Sequence, residues 1–208
     1  IFLEMAVFSV VGLSIASLGV VALAANSIAG NVNWATYVIP STIGAAASIR
    51  VGFYVGAGDY SASAFVGKTA FLISLTYAVI VSGLLILFRY QIAGIYTQDS
   101  AVLDLAASLM VFIALFQIVD DSQATVGGTL RGYKDTRAPM FYSLIGYWFL
   151  ALPLGAALCF GWLSLAPMGV QGYWAGMTLG LAVVATLMGV RLISTSRNHT
   201  RIQAFADI

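Results

Sequence analysis

The stretch from Met5 to Ile49 contains no Asp, Glu, Lys or Arg, and these 45 residues constrain the fold more than any other feature of the chain. One transmembrane helix needs about 20 predominantly apolar residues, so the stretch is about twice as long as a single crossing. Glycine ends helices readily, which favours a turn near Ser17-Leu18-Gly19. Two membrane-spanning helices joined by a tight turn are therefore predicted, and the second is expected to kink at Pro40.

The whole chain shares this apolar character. Hydrophobic residues make up 61% of its 208 residues and charged residues only 8%, whereas soluble domains carry about 25% charged residues. So few polar side chains cannot cover a core in water, which indicates that the surrounding solvent is lipid. The composition therefore predicts an all-α integral membrane protein that has the lipid bilayer as a partner.

The sequence lacks the residues that several classes of protein need for their function. The net charge is +1 and no basic run is present, which argues against nucleic-acid binding. The sequence has no phosphate-binding G-x-x-x-x-G-K-S/T motif, no metal-binding His pair and no nucleophile elbow. Neither an ATP-driven motor nor an enzyme is expected, and no cofactor is expected apart from a coupling ion.

Hydrophobic segments divided by polar stretches predict the order of the helices. A short amphipathic helix at about 90–97 is expected to lie at the membrane interface. Residues 192–208 form a polar, basic tail, and the polar residues between Arg50 and Lys68 predict a connection. The six transmembrane helices are predicted at about 1–18, 20–49, 69–88, 101–128, 139–162 and 169–191. The chain opens as if inside a helix, so we expect it to be a fragment that lacks its N-terminal portion.

The basic residues predict the orientation in the membrane. Cytoplasmic loops carry an excess of Lys and Arg. The loops that follow the odd-numbered crossings contain one basic residue, Arg89. The loops and the tail that follow the even-numbered crossings contain eight basic residues. Those eight are Arg50, Lys68, Arg131, Lys134, Arg137, Arg191, Arg197 and Arg201. We therefore expect the C-terminus to face the cytoplasm.

Two acidic residues are expected deep in the membrane. Glu4 lies about 15 residues, or ~22 Å, from the outer end of the first helix, and Asp120 lies roughly 16 Å from Arg131 along the fourth, at ~1.5 Å per residue. A carboxylate in hydrocarbon costs at least ~2.5–3.5 kcal/mol, so such residues face a partner or a polar cavity. A helix–helix hydrogen bond and a polar cavity are both consistent with the positions of Glu4 and Asp120. In a cavity, the carboxylate would bind a proton or sodium. Asp121 is ~100° further round the helix, so it cannot share the direction of Asp120.

Other residues of the helices are weaker candidates for the same cavity. Phe116 and Gln123 lie at i−4 and i+3 from Asp120 and suit a substrate-lined wall. Asp99 lies at the outer mouth, where it either caps the fourth helix or attracts cations. The polar and aromatic residues of the second helix, Asn33, Trp34 and Tyr37, either border a cavity or pack against other helices.

At this point the sequence resembles the multidrug and toxic compound extrusion (MATE) family, in its NorM-type branch. The resemblance covers essentially the whole chain in order and spacing, and its most specific part is the LRGYKDT stretch. The stretches that carry it are FLE at Phe2–Glu4, RVG at Arg50–Gly52 with GAG at Gly56–Gly58, YTQD at Tyr96–Asp99, FQIVD at Phe116–Asp120 and GTLRGYKDT at Gly128–Thr136.

The resemblance implies a fold and a set of site residues. It implies that the six helices form the C-terminal lobe of a twelve-helix transporter and that the N-terminal lobe is a partner absent from this chain. It further implies that Glu4 and Asp120 bind the coupling cation and, with Asp99, organic cation drugs. Some members have tyrosine where this chain has Phe116, which puts a hydroxyl ligand at that position in doubt.

The sequence thus favours an antiporter of the cell inner membrane that exports amphipathic organic cations in exchange for Na+ or H+. A lipid-linked glycan flippase of the same superfamily is one alternative, although it would be expected to carry Arg or Lys for phosphate in its cavity. A membrane scaffold that transports nothing is the other alternative, and it would not need buried carboxylates.

Overall fold

The structure is a computed structural model that describes residues 2–162 and 166–206. These residues form nine α-helices and one π-helical segment. The helices are α1 (Phe2–Ala16), α2 (Val20–Gly56), α3 (Tyr60–Leu87), α4 (Arg89–Tyr96), α5 (Ser100–Gly132), α6 (Arg137–Leu144), α7 (Leu152–Phe160), α8 (Val170–Ser196) and α9 (His199–Ala206). The π-helical segment, Ile145–Ala151, joins α6 to α7 in one continuous helix.

Five helices in the described part of the chain are long and apolar enough to cross a membrane. They are α2, α3, α5, the continuous helix Arg137–Phe160, and α8. The described part of α1 has 15 residues and is equally apolar, but it is shorter than the ~20 residues of a full crossing. The predicted all-α membrane fold is confirmed, and α4 corresponds to the interfacial helix predicted at about 90–97.

The second and third helices differ from their predicted bounds. The sequence analysis placed their ends at about 49 and 69, with a polar connection between, but α2 continues to Gly56 and α3 begins at Tyr60. Only three residues separate them, where Gly58 takes a φ of 75° and the Asp59 Oδ1 accepts a hydrogen bond of 2.9 Å from the Ala62 amide. The prediction was wrong because hydropathy marks the part of a helix that lies in lipid, and these helices extend beyond it into water.

The C-terminal region differs in the same way. Residues 192–208 were predicted as a polar tail, but α8 continues to Ser196 and a further helix, α9, follows. Arg197, Thr200 and Gln203 of this region are exposed, while the α9 residue Ile202 is fully buried against Val51 and Tyr133. Three buried side chains thus join α9 to the ends of α2 and α5.

Helix α5 lies at the centre of the bundle, in contact with α2, α3, α4 and α8. Its approach to α2 is a backbone contact, because a Cβ atom added to Gly128 would overlap the Gly44 carbonyl oxygen. One turn further on, a Cβ added to Gly132 would lie 2.7 Å from the Ser48 carbonyl oxygen. Small residues let membrane helices pack this closely where lipid supplies no hydrophobic driving force.

A second seam of the same kind joins α8 to the continuous helix before it. Gly172, Gly176 and Gly180 follow one another at intervals of four residues along one face of α8. A Cβ added to Gly172 would lie 2.5 Å from the Cys159 amide nitrogen, and one added to Gly180 would lie 2.5 Å from the Ala151 Cβ. Glycine at these positions therefore sets the distance between the fifth and sixth crossings.

A buried chain of hydrogen bonds crosses from α5 to α2 and α3. The Gln117 side chain donates to the Asp121 Oδ1 at 2.7 Å, and its own Oε1 accepts from the Thr36 hydroxyl at 2.7 Å. The Tyr77 hydroxyl donates to the Thr36 carbonyl oxygen at 3.0 Å. Asp121 is fully buried, and its Oδ2 has no hydrogen-bond partner in the described part of the chain. This network fixes the polar interior of the bundle.

The contact between α2 and α5 predicts a strong effect of one methyl group. Gly128→Ala should lower the thermal midpoint of the detergent-solubilised full-length protein, because overpacking against a backbone carbonyl costs about 1–3 kcal/mol or more. Gly83→Ala is the matched control, since its Cβ would meet nothing within 4 Å on the exposed side of α3. Equal midpoints for the two variants would contradict this packing.

The buried network predicts that the type of side chain at position 121 matters. Asp121→Asn keeps an oxygen acceptor for Gln117 and should leave the thermal midpoint unchanged or raised. Asp121→Leu keeps the branching at Cγ but is larger and leaves the Gln117 amide unpaired, which together should cost about 1–3 kcal/mol or more. Thermal unfolding of the two variants in the same detergent checks this, and a destabilised Asn variant beside a stable Leu variant would refute it.

Candidate functional site

The described helices enclose a cavity of about 1140 Å³ between α1, α2, α5, α6 with the π-helical segment, and α8. Ligand sites of drug size typically measure 300–1,000 Å³, so the cavity has room for one drug-sized molecule. Each wall combines aromatic or other apolar side chains with a few polar ones. That composition suits an amphipathic molecule better than a small inorganic ion alone.

One wall is the face of α2 next to Pro40. Asn33, Trp34, Tyr37 and Ser41 line it, so these residues border the cavity, one of the two readings of the sequence. The rings of Trp34 and Tyr37 stack at a centroid distance of 5.9 Å. Asn33 is 93% buried, and its Oδ1 has no hydrogen-bond partner among the described residues. The wall thus offers two aromatic faces and a buried acceptor to a ligand.

A second wall of the cavity is formed by one face of α5. Asp120, Gln123, Gly127 and Arg131 line it at offsets of 0, 3, 7 and 11 residues, which places them on the same side of an α-helix. Asp120 is on the cavity wall, whereas Asp121 points away from it into the buried network with Gln117. Of the two neighbouring acids, Asp120 therefore lines the cavity and Asp121 does not.

Two other sequence-predicted residues of α5 have different surroundings. Gln123 lines the cavity and donates a hydrogen bond of 3.5 Å to the Ser143 hydroxyl on α6. Phe116 does not line the cavity, because it is fully buried between Phe8 and Trp174, with ring centroids 6.3 and 5.4 Å away at nearly right angles. Since Phe8 is itself part of the wall, Phe116 supports the cavity from behind.

The remaining sequence-predicted acids lie elsewhere. Asp99 is exposed at the start of α5, where its Oδ1 accepts hydrogen bonds from the amides of Ala101 and Val102 at 2.9 and 3.1 Å. It caps the helix, which is one of the two roles predicted from the sequence, and it is not part of the cavity wall. Glu4 belongs to α1, but its side chain lies outside the described residues. Phe8 and Ser9, about one turn later, line the cavity.

The fifth crossing supplies a wall that sequence reasoning missed. Met140, Ser143 and Tyr147 line the cavity, and Tyr147 belongs to the π-helical segment. Pro153 follows this segment, and proline has no N–H to donate to the preceding turn, which favours a local departure from α-helical geometry. π-helical turns occur frequently at functional sites. The proline within this apolar segment was therefore the sequence feature that could have indicated this wall.

The LRGYKDT stretch has a structural role that its sequence does not reveal. Asp135 is 97% buried and accepts a hydrogen bond of 2.6 Å from the Arg191 Nε on α8. The Thr195 hydroxyl donates to the same carboxylate oxygen at 3.4 Å. The Lys134 backbone has a φ of 60°, which completes the tight turn after α5. The loop therefore joins the end of α5 to α8 through a buried ion pair.

The donor set on the walls fits a hard cation. Asp120 offers a carboxylate, Asn33 an amide oxygen, and Ser9 and Ser41 offer hydroxyls, and oxygen ligands of this kind suit sodium as they suit other hard cations. Among the described residues, no group of three or more His, Cys, Asp or Glu side chains forms a metal cluster. The binding of Na+ by Glu4 and Asp120 stays a prediction.

Comparison with known proteins gives consistent relatives in both sequence and fold. The "Probable multidrug resistance protein NorM" of Shewanella oneidensis is 38% identical over 92% of this chain and 42% of its own length. The "Multidrug resistance protein PmpM" of Pseudomonas aeruginosa is 38% identical over 98% of this chain and 43% of its own length. The chain therefore spans less than half the length of these curated relatives.

Solved structures show the same partial coverage. The crystal structure of the eukaryotic MATE transporter AtDTX14 superposes with a TM-score of 0.81 and 26% identity, over 89% of this chain and 40% of that one. A multidrug resistance MATE family transporter in an outward-facing conformation has a TM-score of 0.83 at 13% identity, over 100% of this chain and 44% of that one, which shows the shared fold. The model of the MatE family matches residues 1–157. The chain thus belongs to the MatE family, the multidrug and toxic compound extrusion transporters.

Proposed function

We propose that this chain is the drug-binding and ion-binding half of an antiporter that exports amphipathic organic cations. The observation that carries the proposal is the position of Asp120, a carboxylate on the wall of a large cavity lined with aromatic rings. A carboxylate attracts a cation by charge, and rings such as those of Trp34 and Tyr37 attract it through their π faces. The names of the NorM and PmpM relatives, both multidrug resistance proteins, support the same activity.

Competition for Asp120 would couple the two fluxes. A sodium ion or a proton that binds this carboxylate reduces its negative charge, so the carboxylate holds an organic cation less strongly. Each ligand shifts the inward-open and outward-open populations only by its difference in affinity for the two states. Glu4, on α1, is the proposed second carboxylate of the ion site. The coupling ion is proposed as Na+ or H+.

The length of the relatives supports a second lobe as partner, because they are more than twice as long as this chain. We propose that an N-terminal six-helix lobe of the same transporter packs against this one and completes the cavity. The membrane would be the cell inner membrane of a bacterium, with the Arg131 end of α5 and the C-terminus facing the cytoplasm, as the basic residues indicate.

This function predicts opposite outcomes at the two neighbouring acids. Asp120→Asn in the full-length protein should lower gradient-driven ethidium efflux by roughly tenfold or more, because the substitution removes the charge that both ligands share. Asp121→Asn is the matched control, because this acid faces the buried network, and it should leave efflux near the wild-type rate. The measurement is ethidium efflux from proteoliposomes with the sodium and proton gradients imposed separately.

The gradient experiment separates the outcomes. Efflux that a sodium gradient drives alone identifies sodium as the coupling ion, and efflux that only a proton gradient drives identifies the proton. An Asp120→Asn protein with unchanged efflux and unchanged gradient dependence would overturn the proposal. A wild-type protein without gradient-dependent efflux of any cation would do the same and would turn attention to the flippase.

A further inference from the structure

An apolar groove between α2 and α3 lies apart from the central cavity. Its volume is about 320 Å³, and it shares no lining residue with the cavity. The α2 side of the groove includes Ile43, Ala47 and Arg50, and the α3 side includes Phe65, Ala70 and Ile73. Apart from Arg50, these six side chains are apolar, so the groove suits a hydrocarbon chain better than a polar molecule.

The groove is open toward the surroundings of the bundle. Phe65 and Ile73 are 70% and 54% exposed, whereas Ala47 and Ala70 are buried and form the floor. The helix α3 is long and apolar enough to cross the membrane. Lipid therefore surrounds this face of α3, and an acyl chain can enter the groove from the side.

The charge of the groove lies at one end. Arg50 is next to Val51, which belongs to the same buried cluster as Val66 of α3. This is the end at which the three-residue turn joins α2 to α3. Ile43 and Ile73 line the opposite end, about 10 Å deeper along the helices at ~1.5 Å per residue. A groove that is charged at one end and apolar at the other matches the polarity of a phospholipid.

Arg50 has no acidic partner in the part of the chain that the structure describes. It is exposed and makes neither an ion pair nor a side-chain hydrogen bond there. Asp59, the acid that follows it in the sequence, instead caps α3 by accepting a hydrogen bond from the Ala62 amide. An arginine can lay its aliphatic stem along apolar surface and hold its guanidinium at the level of the lipid headgroups. A planar guanidinium binds phosphate oxygens through paired hydrogen bonds.

We propose that this groove binds one anionic phospholipid of the cytoplasmic leaflet, with an acyl chain against Ile43 and Ile73 and the phosphate on Arg50. Charge complementarity selects this occupant. An apolar segment of the second lobe would leave the guanidinium without a partner, and the ammonium of a zwitterionic lipid offsets its phosphate charge. Basic pockets between transmembrane helices on the cytoplasmic side bind anionic headgroups in this way. The inference uses the proposed orientation of the chain but not its export activity.

Two lipids with the same acyl chains and different headgroups test the site. The purified full-length protein in a neutral detergent is titrated with dioleoylphosphatidylglycerol or dioleoylphosphatidylcholine, and bound lipid is counted by native mass spectrometry. The wild-type protein should bind phosphatidylglycerol more tightly. Arg50→Gln should weaken that binding by roughly fivefold, because one positive charge is lost, and should change phosphatidylcholine binding by less than about twofold. Arg50→Lys keeps the charge and should retain most of the preference.

A second variant tests the apolar part of the groove. Ala46 is exposed and lines the groove, so Ala46→Phe places a ring where the acyl chain would lie without disturbing the buried floor. This variant should weaken the binding of both lipids, and its thermal midpoint should stay near that of the wild-type protein. Unchanged binding of both lipids by Ala46→Phe would show that the lipid lies elsewhere.

Arg137→Gln is the control for general attraction between basic residues and anionic lipid. Arg137 is exposed at the same end of the bundle and does not line the groove, so its loss should leave the preference intact. An equal effect of Arg137→Gln and Arg50→Gln, or a wild-type protein without preference, would overturn the site. Binding of neither lipid by the wild-type protein would also overturn it and would indicate that the second lobe covers the groove. Each of these outcomes leaves the proposed export function untouched.

Discussion

The backbone contact between α2 and α5 at Gly44 and Gly128 determines most of what surrounds it. A membrane interior gives helices little hydrophobic reason to associate, so van der Waals contact and hydrogen bonds must hold them together. No side chain separates the two backbones at Gly128, and this close approach fixes how α2 and α5 are aligned along their length. That alignment brings Thr36 of α2 within hydrogen-bond distance of Gln117 and places Asn33, Tyr37 and Asp120 on the lining of the same cavity.

Two adjacent acids on α5 acquire different roles from this packing. A rotation of ~100° per residue sends Asp120 into the cavity and Asp121 into the interface with α2 and α3. The carboxylate of Asp120 lines the cavity, while that of Asp121 accepts a hydrogen bond from Gln117 in the buried network. One helix can therefore carry a cavity-lining carboxylate next to a structural one.

The cavity is polar at selected points and apolar between them, and its charges have opposite signs. Asp120 and Arg131 lie on one stripe of α5 with a glycine between them, and the aromatic pair Trp34 and Tyr37 lies on the α2 wall. Aromatic rings supply broad apolar contact with few directional demands. The buried ion pair of Asp135 and Arg191 fixes the loop beyond Arg131 and so holds that end of the wall in place.

The sequence by itself determined the membrane class and the order of the long helices, because lipid demands long apolar helices. It did not determine the faces of those helices: lipid and protein interior are equally apolar, so hydropathy cannot distinguish Phe116 in the core from a residue on the cavity wall. Only the tertiary structure decided that Asp121 turns away from the cavity, that Asp99 caps α5, that the π-helical segment adds a wall, and that Arg131 belongs to the cavity lining. These depend on which helix packs against which, and that is set by contacts between residues far apart in the chain.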